Sequence, residues 1–333
     1  MGQDTLSDVL RSVRLRGAVF YYVSGGRDWA AEAPPSKDIA PAVMAGVDQV
    51  MEYHVVAHGE CWCAVVGEKP VRLAAGDIVV FPHGDAHVLS SAPGMRADPN
   101  VSWYYETKIV QLPFRVAYHG MTAPSAELPE GVASETALVC GFLGCDLKPF
   151  NPLVATLPRM LHLREPDGGG WTGQFLRQAV AESQSRRPGG EALLERMSEM
   201  MFVDAVRRYI DSLPEESTGW LAGLRDRYVG RALALLHEKP AEAWTIDGLS
   251  RAVGLSRSAL HERFVQLIGH PPIQYLTQWR MQVAAGLLRS SHANVASIAL
   301  EVGYDSEAAF ARAFKRATGL PPAAWRRNKA LSK

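Results

Sequence analysis

The chain lacks most features that would place it outside a reducing compartment or inside a membrane. Only four of its 333 residues are cysteines, and no apolar run reaches the roughly eighteen residues that a transmembrane helix requires. The sequence begins without a signal peptide, so we expect a cytoplasmic protein whose thiols stay reduced and form no permanent disulfides. Its 35 Lys and Arg balance its 35 Asp and Glu. Any charge preference must therefore come from the distribution of these residues along the chain.

Signatures of common catalytic sites are also missing. The sequence shows no Ser-His-Asp pattern and no glycine-rich phosphate loop. Because these catalytic motifs are missing, we expect that the protein is not an enzyme.

A short pattern does occur twice near the C-terminal end. LSRAVGLSRSALHERFVQLIGHPP covers residues 249–272, and IALEVGYDSEAAFARAFKRATGLPP covers residues 298–322. In each copy a glycine, Gly254 or Gly303, separates two segments with apolar residues at helical spacing. The internal repeat therefore predicts two helix-turn-helix motifs.

Capping residues and apolar stripes define the helices of these motifs. Thr245 and Ser256 are placed to cap the two helices of the first copy, and Asp305 or Ser306 to cap the second helix of the second copy. The apolar residues of each second helix fall at spacings of three and four, which predicts one buried stripe per helix. These residues are Leu260, Phe264, Leu267 and Ile268 in the first copy and Phe310, Phe314 and Ala317 in the second.

Charge separates this region from the rest of the chain. From residue 221 to residue 333 there are sixteen Lys and Arg against eight Asp and Glu, so the first 220 residues carry the opposite excess. A basic helical module joined to an acidic body is typical of a nucleic-acid reader, because phosphate neutralisation supplies most non-specific affinity. A helical bundle without a DNA function would not explain this asymmetry.

Residues 228–328 resemble the paired helix-turn-helix domain of the AraC family of bacterial transcription regulators. The ending GYDSEAAFARAFKRATGLPPAAWRR resembles the signature of that family. The resemblance implies double-stranded promoter DNA as a partner, and RNA polymerase as well if the protein is an activator. It also implies one helix over Ile273–Arg289 that joins the motifs, with the two recognition helices in major grooves about 34 Å apart.

The resemblance places groove-facing residues on the second helix of each copy. Arg312 is the strongest single candidate for a base contact, because a guanidinium can pair bidentately with guanine. Glu262 and Glu307 either accept a hydrogen bond from cytosine or pair with arginines of their own helix. The predicted DNA-binding residues are Ser256, Arg257, Ser258, His261, Glu262, Arg263, Ser306, Glu307, Ala308, Ala311, Arg312 and Lys315.

The N-terminal part reads as short apolar runs between turn residues. The runs are VFYYVS, EYHVVA, CWCAVVG, DIVVFP, WYYETKIVQL and TALVCGFLG. Strands at such short spacing predict a β-sandwich or barrel.

Two segments of this part resemble cupin motifs. GDIVVFPHGDAHVL has Gly76, Pro82, Gly84 and His87 at the positions of the second motif, although Ser91 stands where many metal cupins have Asn. The first motif is poorer, because the histidines and glutamate of YHVVAHGECW lack the usual H-x-H spacing. Residues 4–163 thus resemble the cupin-type N-terminal domain of some AraC-family regulators. A cupin metalloenzyme, a dioxygenase or isomerase fused to a DNA-binding domain, is the alternative that this resemblance leaves open.

Cysteines and histidines of the predicted barrel provide candidate zinc ligands. The tentative set is His54, Cys61, His87 and Cys140, with His83, Cys63 and Cys145 as alternates. Thiolate and imidazole suit zinc, but the C-x-C and C-x4-C spacings lack the usual C-x2-C pair. Buried core thiols and a thiol switch, which needs a lowered thiol pKa, are the other interpretations. An apolar barrel mouth would equally suit an unknown small-molecule effector.

Between barrel and repeat, two helices are expected near Trp171–Gln184 and Gly190–Ser212. The second is rich in Leu, Met and Val, which indicates packing against the barrel or a homodimer interface. PEESTG, at residues 214–219, then marks a hinge. The sequence therefore predicts a multidomain α+β protein with three parts: a cupin-like sensor barrel (1–165), a helical linker and dimerisation region (166–219), and an all-α DNA-binding domain with two helix-turn-helix motifs (220–333).

Overall fold

The computed structural model describes residues 4–106, 114–121, 124–164, 171–185 and 188–330. These residues form two compact units. The barrel unit comprises the described residues of 15–145 and 157–209, and the helical unit comprises those of 1–14, 146–156 and 210–333. Each unit is built from segments that are not contiguous in the chain. The boundaries predicted from the sequence, after residues 165 and 219, therefore stay a prediction.

Strands and helices are divided between these units. The strands of the described residues are β1 (Arg16–Gly25), β2 (Ala30–Ala33), β3 (Gln49–His58), β4 (Glu60–Val65), β5 (Val71–Ala74), β6 (Ile78–Phe81), β7 (His87–Ser90), β8 (Phe114–Tyr118), β9 (Thr136–Cys145) and β10 (Leu161–Leu163). The helices are α1 (Thr5–Ser12), α2 (Ser36–Val43), α3 (Val101–Glu106), α4 (Trp171–Ser185), α5 (Gly190–Ser212), α6 (Trp220–Arg225), α7 (Arg227–Glu238), α8 (Ile246–Val253), α9 (Arg257–Ile268), α10 (Pro272–Ser290), α11 (Val295–Glu301), α12 (Glu307–Thr318) and α13 (Pro322–Ala330).

The barrel unit consists of two sheets with an apolar core. One sheet has the order β10-β6-β3-β9-β1-β8 and the other the order β2-β7-β4-β5. β1 and β8 are parallel, and the other neighbouring strands are antiparallel. The mixed fold, with a strand-rich N-terminal part and a helical C-terminal part, confirms the α+β prediction.

β3 is buried on both faces for two different reasons. Its residues Val50 and Val56 belong to the core cluster of the barrel, whereas Tyr53 contacts Phe175 of α4 on the opposite face, at a ring distance of 6.5 Å. Alternate residues of a strand point to opposite faces. The central strand is therefore enclosed by the barrel core and by the helices that follow the barrel.

Helices α4 and α5 confirm the two helical stretches predicted between barrel and repeat. α5 passes close to β1 at Gly17, where a Cβ atom would lie 2.2 Å from Ser198 Oγ. Its buried residues include Leu194, Met201 and Val206. Packing against the barrel therefore accounts for one face of this helix.

One predicted strand is wrong. WYYETKIVQL begins inside α3, whose first turn is stabilised by Asn100 because its side chain accepts a hydrogen bond from the Trp103 amide at 3.0 Å. A local capping interaction thus overrides the β preference of the aromatic residues. Residues 107–112 of this run lie outside the described residues.

The helical unit contains both predicted motifs, α8 with α9 and α11 with α12. Thr245, Ser256 and Ser306 cap α8, α9 and α12, and Gly254 and Gly303 take left-handed φ values of 80° and 81° between the paired helices. The predicted joining helix is confirmed as α10, one residue longer at each end.

The buried stripes of the recognition helices are confirmed only in part. Leu260, Phe264, Phe310 and Phe314 are fully buried. Ala317 is exposed, and Ala313 is buried in its place. Ala313, three residues after Phe310, lies on the same helix face. Leu267 and Ile268 of α9 are only half-buried.

No helix of the described residues is both long and apolar enough to cross a membrane.

Candidate functional site

The first recognition helix, α9, presents a polar face. Ser256 accepts a hydrogen bond from the Ala259 amide at 3.3 Å and so fixes the start of the helix. The predicted DNA-binding residues of this helix are all exposed: Ser256, Arg257, Ser258, His261, Glu262 and Arg263. This side of α9 can therefore reach a groove.

Two arginines of α9 already have acidic partners. Arg257 Nε lies 3.1 Å from Asp247 Oδ1, and both side chains are more than half exposed. Arg263 Nε donates to Asp226 Oδ2 at 2.8 Å, and Asp226 also caps α7 through the amides of Tyr228 and Val229. Burial opposes ionisation of Asp226, but the hydrogen bonds from Arg263 and the amides outweigh it and lower its pKa. Arg263 is thus tied to the start of α7.

The second recognition helix, α12, carries basic side chains that stand alone. Ser306, Glu307, Ala308, Arg312 and Lys315 are exposed, and Ala311 is half-buried. Within the described part of the chain, neither Arg312 nor Lys315 takes part in an ion pair. Both cations are therefore free to meet an anionic partner.

The barrel unit contains a cavity of about 70 Å³ with an aromatic wall. The cavity is partly open, and its volume exceeds the volume that one water molecule needs. The aromatic lining residues are Tyr21, Trp29, Trp103, Tyr104, Tyr118 and Phe142, and the polar ones include Glu32, Glu52, His54, His87 and Cys140.

Glu52, His54 and His87 form a compact buried group in this cavity. Glu52 and His54 are two residues apart on β3 and so face the same side, and His87 begins β7 of the other sheet. One nitrogen or oxygen atom from each of the three side chains lies within 4.8 Å of the others. His54 Nε2 is 2.8 Å from His87 Nε2, which is 3.6 Å from Glu52 Oε2.

Hydrogen bonds and burial determine the protonation of this group. His87 Nδ1 donates to the Asp85 carbonyl at 2.9 Å, which leaves its Nε2 lone pair directed into the group. Burial lowers the pKa of His87 to about 4 and lowers that of His54 as well, so both rings are neutral near pH 7. Burial raises the pKa of Glu52 to about 8, against a hydrogen bond from Ser36 that lowers it. Two neutral imidazoles thus face a carboxyl that holds its proton.

The structure brings together three of the four tentative metal ligands. His54, His87 and Cys140 line the cavity, and His54 is the register neighbour of Cys140 on the adjacent strand. Cys61, the fourth, lies in the core cluster but does not line the cavity.

The alternates lie elsewhere. Cys63 belongs to the same core cluster as Cys61, and Cys145 is an odd number of residues from Cys140 on β9, so it points to the other face of that sheet. His83 is exposed, and its Nε2 lies 2.9 Å from the Leu157 carbonyl.

Burial makes the thiols of Cys61, Cys63 and Cys140 poor nucleophiles. It raises the pKa of Cys61 to about 12 and raises the pKa of Cys63 and of Cys140 well above the ordinary value. A thiol sensor requires the opposite shift, because the thiolate is the reactive form.

Sequence reasoning missed Glu52. The segment compared with the first cupin motif, YHVVAHGECW, lacks the H-x-H spacing and starts after Glu52, and its other histidine and its glutamate, His58 and Glu60, are exposed. The usable signal was the pair Glu52 and His54, because residues two apart on a buried strand share one face.

Comparison with known proteins matches both parts of the chain. A family model described as Cupin matches residues 4–211, and one described as Helix-turn-helix domain matches residues 249–328. An AraC-like transcription regulator of Streptomyces lividans is 31% identical over 329 residues, which make up 98% of each chain. The RCS-specific HTH-type transcriptional activator RclR of Escherichia coli is 31% identical over 286 residues, covering 85% of this chain and 86% of RclR.

A solved structure also resembles the helical unit. It is the DNA-binding domain of the global transcriptional factor AdpA in complex with a target DNA. It is 29% identical and covers 32% of this chain and 95% of its own, with a TM-score of 0.31.

Proposed function

The chain belongs to the AraC-like transcription regulators with an N-terminal cupin domain, and from this premise we propose that the barrel cavity controls sequence-specific binding to promoter DNA. The observation that carries the proposal is the pairing, in one chain, of two exposed recognition helices with an aromatic cavity around three buried titratable groups. A non-specific architectural protein would have no use for such a cavity.

The proposed DNA contacts are the exposed residues of α9 and α12 named above. Arg312 and Lys315 have no acidic partner among the described residues, so Arg312 is assigned to a base and Lys315 to phosphate. Arg263 is held by Asp226 at the start of α7. We therefore assign Arg263 to a phosphate of the DNA backbone next to α7. Selection from random double-stranded DNA tests this function: one enriched motif supports it, and equal binding of all sequences at physiological salt would reject it.

If the protein activates transcription, RNA polymerase is a further proposed partner. The proposed compartment is the cytoplasm, where a bacterial chromosome lies. The alternative function is a cupin dioxygenase or isomerase fused to the DNA-binding part. The relatives from Streptomyces lividans and Escherichia coli both bear the names of transcription regulators, which favours regulation over catalysis.

Among the three proposed signals, the structure favours a bound ligand or metal over thiol oxidation. The raised thiol pKa values of Cys61, Cys63 and Cys140 keep these side chains protonated and slow to react with oxidants. The cavity, in contrast, offers space and polar groups at one place.

The residues present fit a metal ion of the kind that the cupin fold implies. Two imidazoles and one carboxylate are a donor set for zinc and neighbouring transition metals. The bond from His87 Nδ1 to the Asp85 carbonyl is the outer interaction that orients metal-binding histidines. We therefore revise the predicted zinc ligands to Glu52, His54 and His87, with Cys140 beside them.

Untagged protein purified under reducing conditions is expected to contain about one zinc per chain by elemental analysis. His54→Ala and His87→Ala should lose it, whereas Cys61→Ala, which alters the core but not the cavity lining, should retain it.

Because Glu52 must lose its proton to bind metal, and its pKa is about 8, zinc affinity should rise roughly tenfold per pH unit from 6 to 8 and then level off. Metal-free wild-type protein, or full zinc in both histidine variants, would reject the site.

A homodimer through α5 is the proposed assembly. Leu193 and Met200 are 41% and 56% exposed on the face of α5 that does not pack on the barrel. Antiparallel pairing of two copies about Met200 would place Arg196 opposite Asp204, and Met197 opposite Val203. Opposite charges and apolar residues would thus meet in a self-complementary way.

Met200→Glu is expected to shift the protein from dimer to monomer, because a carboxylate would be buried at the twofold axis. Leu300→Glu is the matched control, since Leu300 is also an exposed apolar helix residue, at 64% exposure, but lies on α11. Sedimentation equilibrium measures the oligomeric state of both variants. A monomeric wild-type protein at micromolar concentration, or a dimeric Met200→Glu variant, would contradict the interface.

A further inference from the structure

The loop before the first helix-turn-helix motif lies against the turn of the second one. Gly303 lies in that turn with a φ of 81°, and a Cβ atom there would lie 2.6 Å from the carbonyl oxygen and 2.8 Å from the Cα of Ala241. Ala241 belongs to the loop between α7 and α8, just before the first motif. The corresponding glycine of the first motif, Gly254, has the same conformation, but nothing lies within 4 Å of its Cβ position. Close backbone contact is therefore a property of the second copy alone.

Arg280, in the middle of the joining helix α10, binds both sides of this contact. Its Nε donates to the Pro240 carbonyl at 2.7 Å, and one terminal nitrogen donates to the Glu242 carbonyl at 2.9 Å. The other terminal nitrogen donates to the Gly303 carbonyl at 3.2 Å. One guanidinium thus connects the loop before the first motif, the joining helix and the turn of the second motif.

The environment of Arg280 favours one fixed geometry. The residue is half-buried, and burial lowers its pKa although the nearby Tyr304 and Asp305 raise it. A partly desolvated guanidinium needs hydrogen-bond acceptors at all its donors, and the rigid fork accepts only a narrow range of carbonyl positions. The Tyr304 ring, 5.9 Å away, adds a cation–π contact. Rotation of one motif against the other would break several of these interactions together.

We propose that Arg280 is the positioning residue that sets the half-site spacing of the operator, by locking the two motifs in one relative orientation through the Pro240, Glu242 and Gly303 carbonyls. The inference rests on the proposed function, because it requires both recognition helices to bind DNA at once. Each added base pair moves a half-site by about 3.4 Å along the helix and rotates it by roughly a tenth of a turn. A locked pair of motifs cannot follow such a shift, whereas an unlocked pair can.

Parallel selections from one random double-stranded DNA library test the proposal with the full chain. Arg280→Met removes the fork but keeps an unbranched side chain. Gly303→Ala keeps the arginine but forces the turn away from Ala241 and from Arg280 Nη2, which would lie 2.8 Å from the new Cβ atom. Arg326→Met is the control for the first change, because Arg326 also donates to two carbonyls, those of Leu288 and Ala293, but both precede the second motif. Gly254→Ala is the control for the second change, since it has the same backbone strain without the clash.

Wild-type protein and both controls are expected to enrich two half-sites at a single spacing, and Arg280→Met and Gly303→Ala to enrich the same half-sites at two or more spacings. Inserting one base pair between the half-sites should lower wild-type affinity about tenfold or more, and that of the two test variants less than about threefold. A single wild-type spacing in both test variants would overturn the proposal. Failure of the wild-type protein to enrich any motif would instead refute the proposed DNA function, and the proposal with it. If Arg280→Met does not fold, Gly303→Ala decides.

Discussion

Asp146→Ala is expected to destabilise the helical unit by about 3 kcal/mol. The carboxylate is 1% exposed and accepts two hydrogen bonds of 2.8 Å from Arg14, while Arg289, 9% exposed, lies 3.1 Å away. Removing the carboxylate would take one partner from a buried ion pair and keep the buried charge of Arg289, which costs more free energy than replacing both partners. Hydrogen exchange along α10, the helix that carries Arg289, measures the loss.

Glu60→Ala is the matched control for this change. Glu60 pairs with Arg72, and both side chains are more than half exposed. Solvent screening limits such a pair to less than about 1 kcal/mol. Equal hydrogen exchange along α10 in Asp146→Ala, Glu60→Ala and wild-type protein would show that the Asp146 cluster does not hold the helical unit together.

The Asp146 cluster is adjacent in the chain to two strands that line the cavity. Arg14 precedes β1 by two residues and Asp146 directly follows β9, and these strands pair with each other through Arg16 and Gly144. Both strands also line the cavity, through Tyr21 and Cys140 among others. We propose that occupancy of the cavity shifts the ends of β1 and β9, and through Asp146 the helix α10 that joins the recognition helices. Ligand and DNA would then be coupled by a population shift.

Arg312→Ala is expected to lower affinity for the selected operator by about 1–3 kcal/mol and to relax the preference at one base pair. Lys315→Ala, one turn further along α12, is expected to weaken binding to operator and random DNA equally and to reduce the salt dependence by about one charge. Both side chains are exposed cations on the same helix, so each is the control for the other. Fluorescence anisotropy at several salt concentrations measures the difference. Equal losses on specific and random DNA for Arg312→Ala would remove Arg312 from base recognition.

Local features of the fold were predictable from the sequence. Turn glycines such as Gly254 and capping residues such as Ser256 act on their immediate neighbours, so their effect does not depend on the rest of the fold. The helices α4 and α5 follow from apolar residues and breakers in the same way, whereas α10 is implied by the resemblance to the AraC family. Among the described residues, the strand prediction fails at α3, because Asn100 caps a helix whose aromatic residues favour strands in other contexts.

Features that depend on contacts distant in sequence were not predictable. The membership of α1 in the helical unit depends on Gln282, which donates to the Ser12 carbonyl across most of the chain. The carbonyl partners of Arg280 are backbone atoms, which leave no mark in side-chain patterns. The sequence places Cys61 and His54 in one candidate zinc site because both residue types bind zinc. Only the packing of the two sheets decides which side chains reach the cavity.

We propose that the state of the barrel cavity sets the affinity of the chain for DNA. The most direct test is the dissociation constant of the full chain for its selected operator, measured with zinc and after removal of the metal by a chelator. We expect at least about a fivefold difference between the two states, and no response to zinc in His54→Ala and His87→Ala. The same dissociation constant in both states of the wild-type protein, equal to that of the two variants, would contradict the claim.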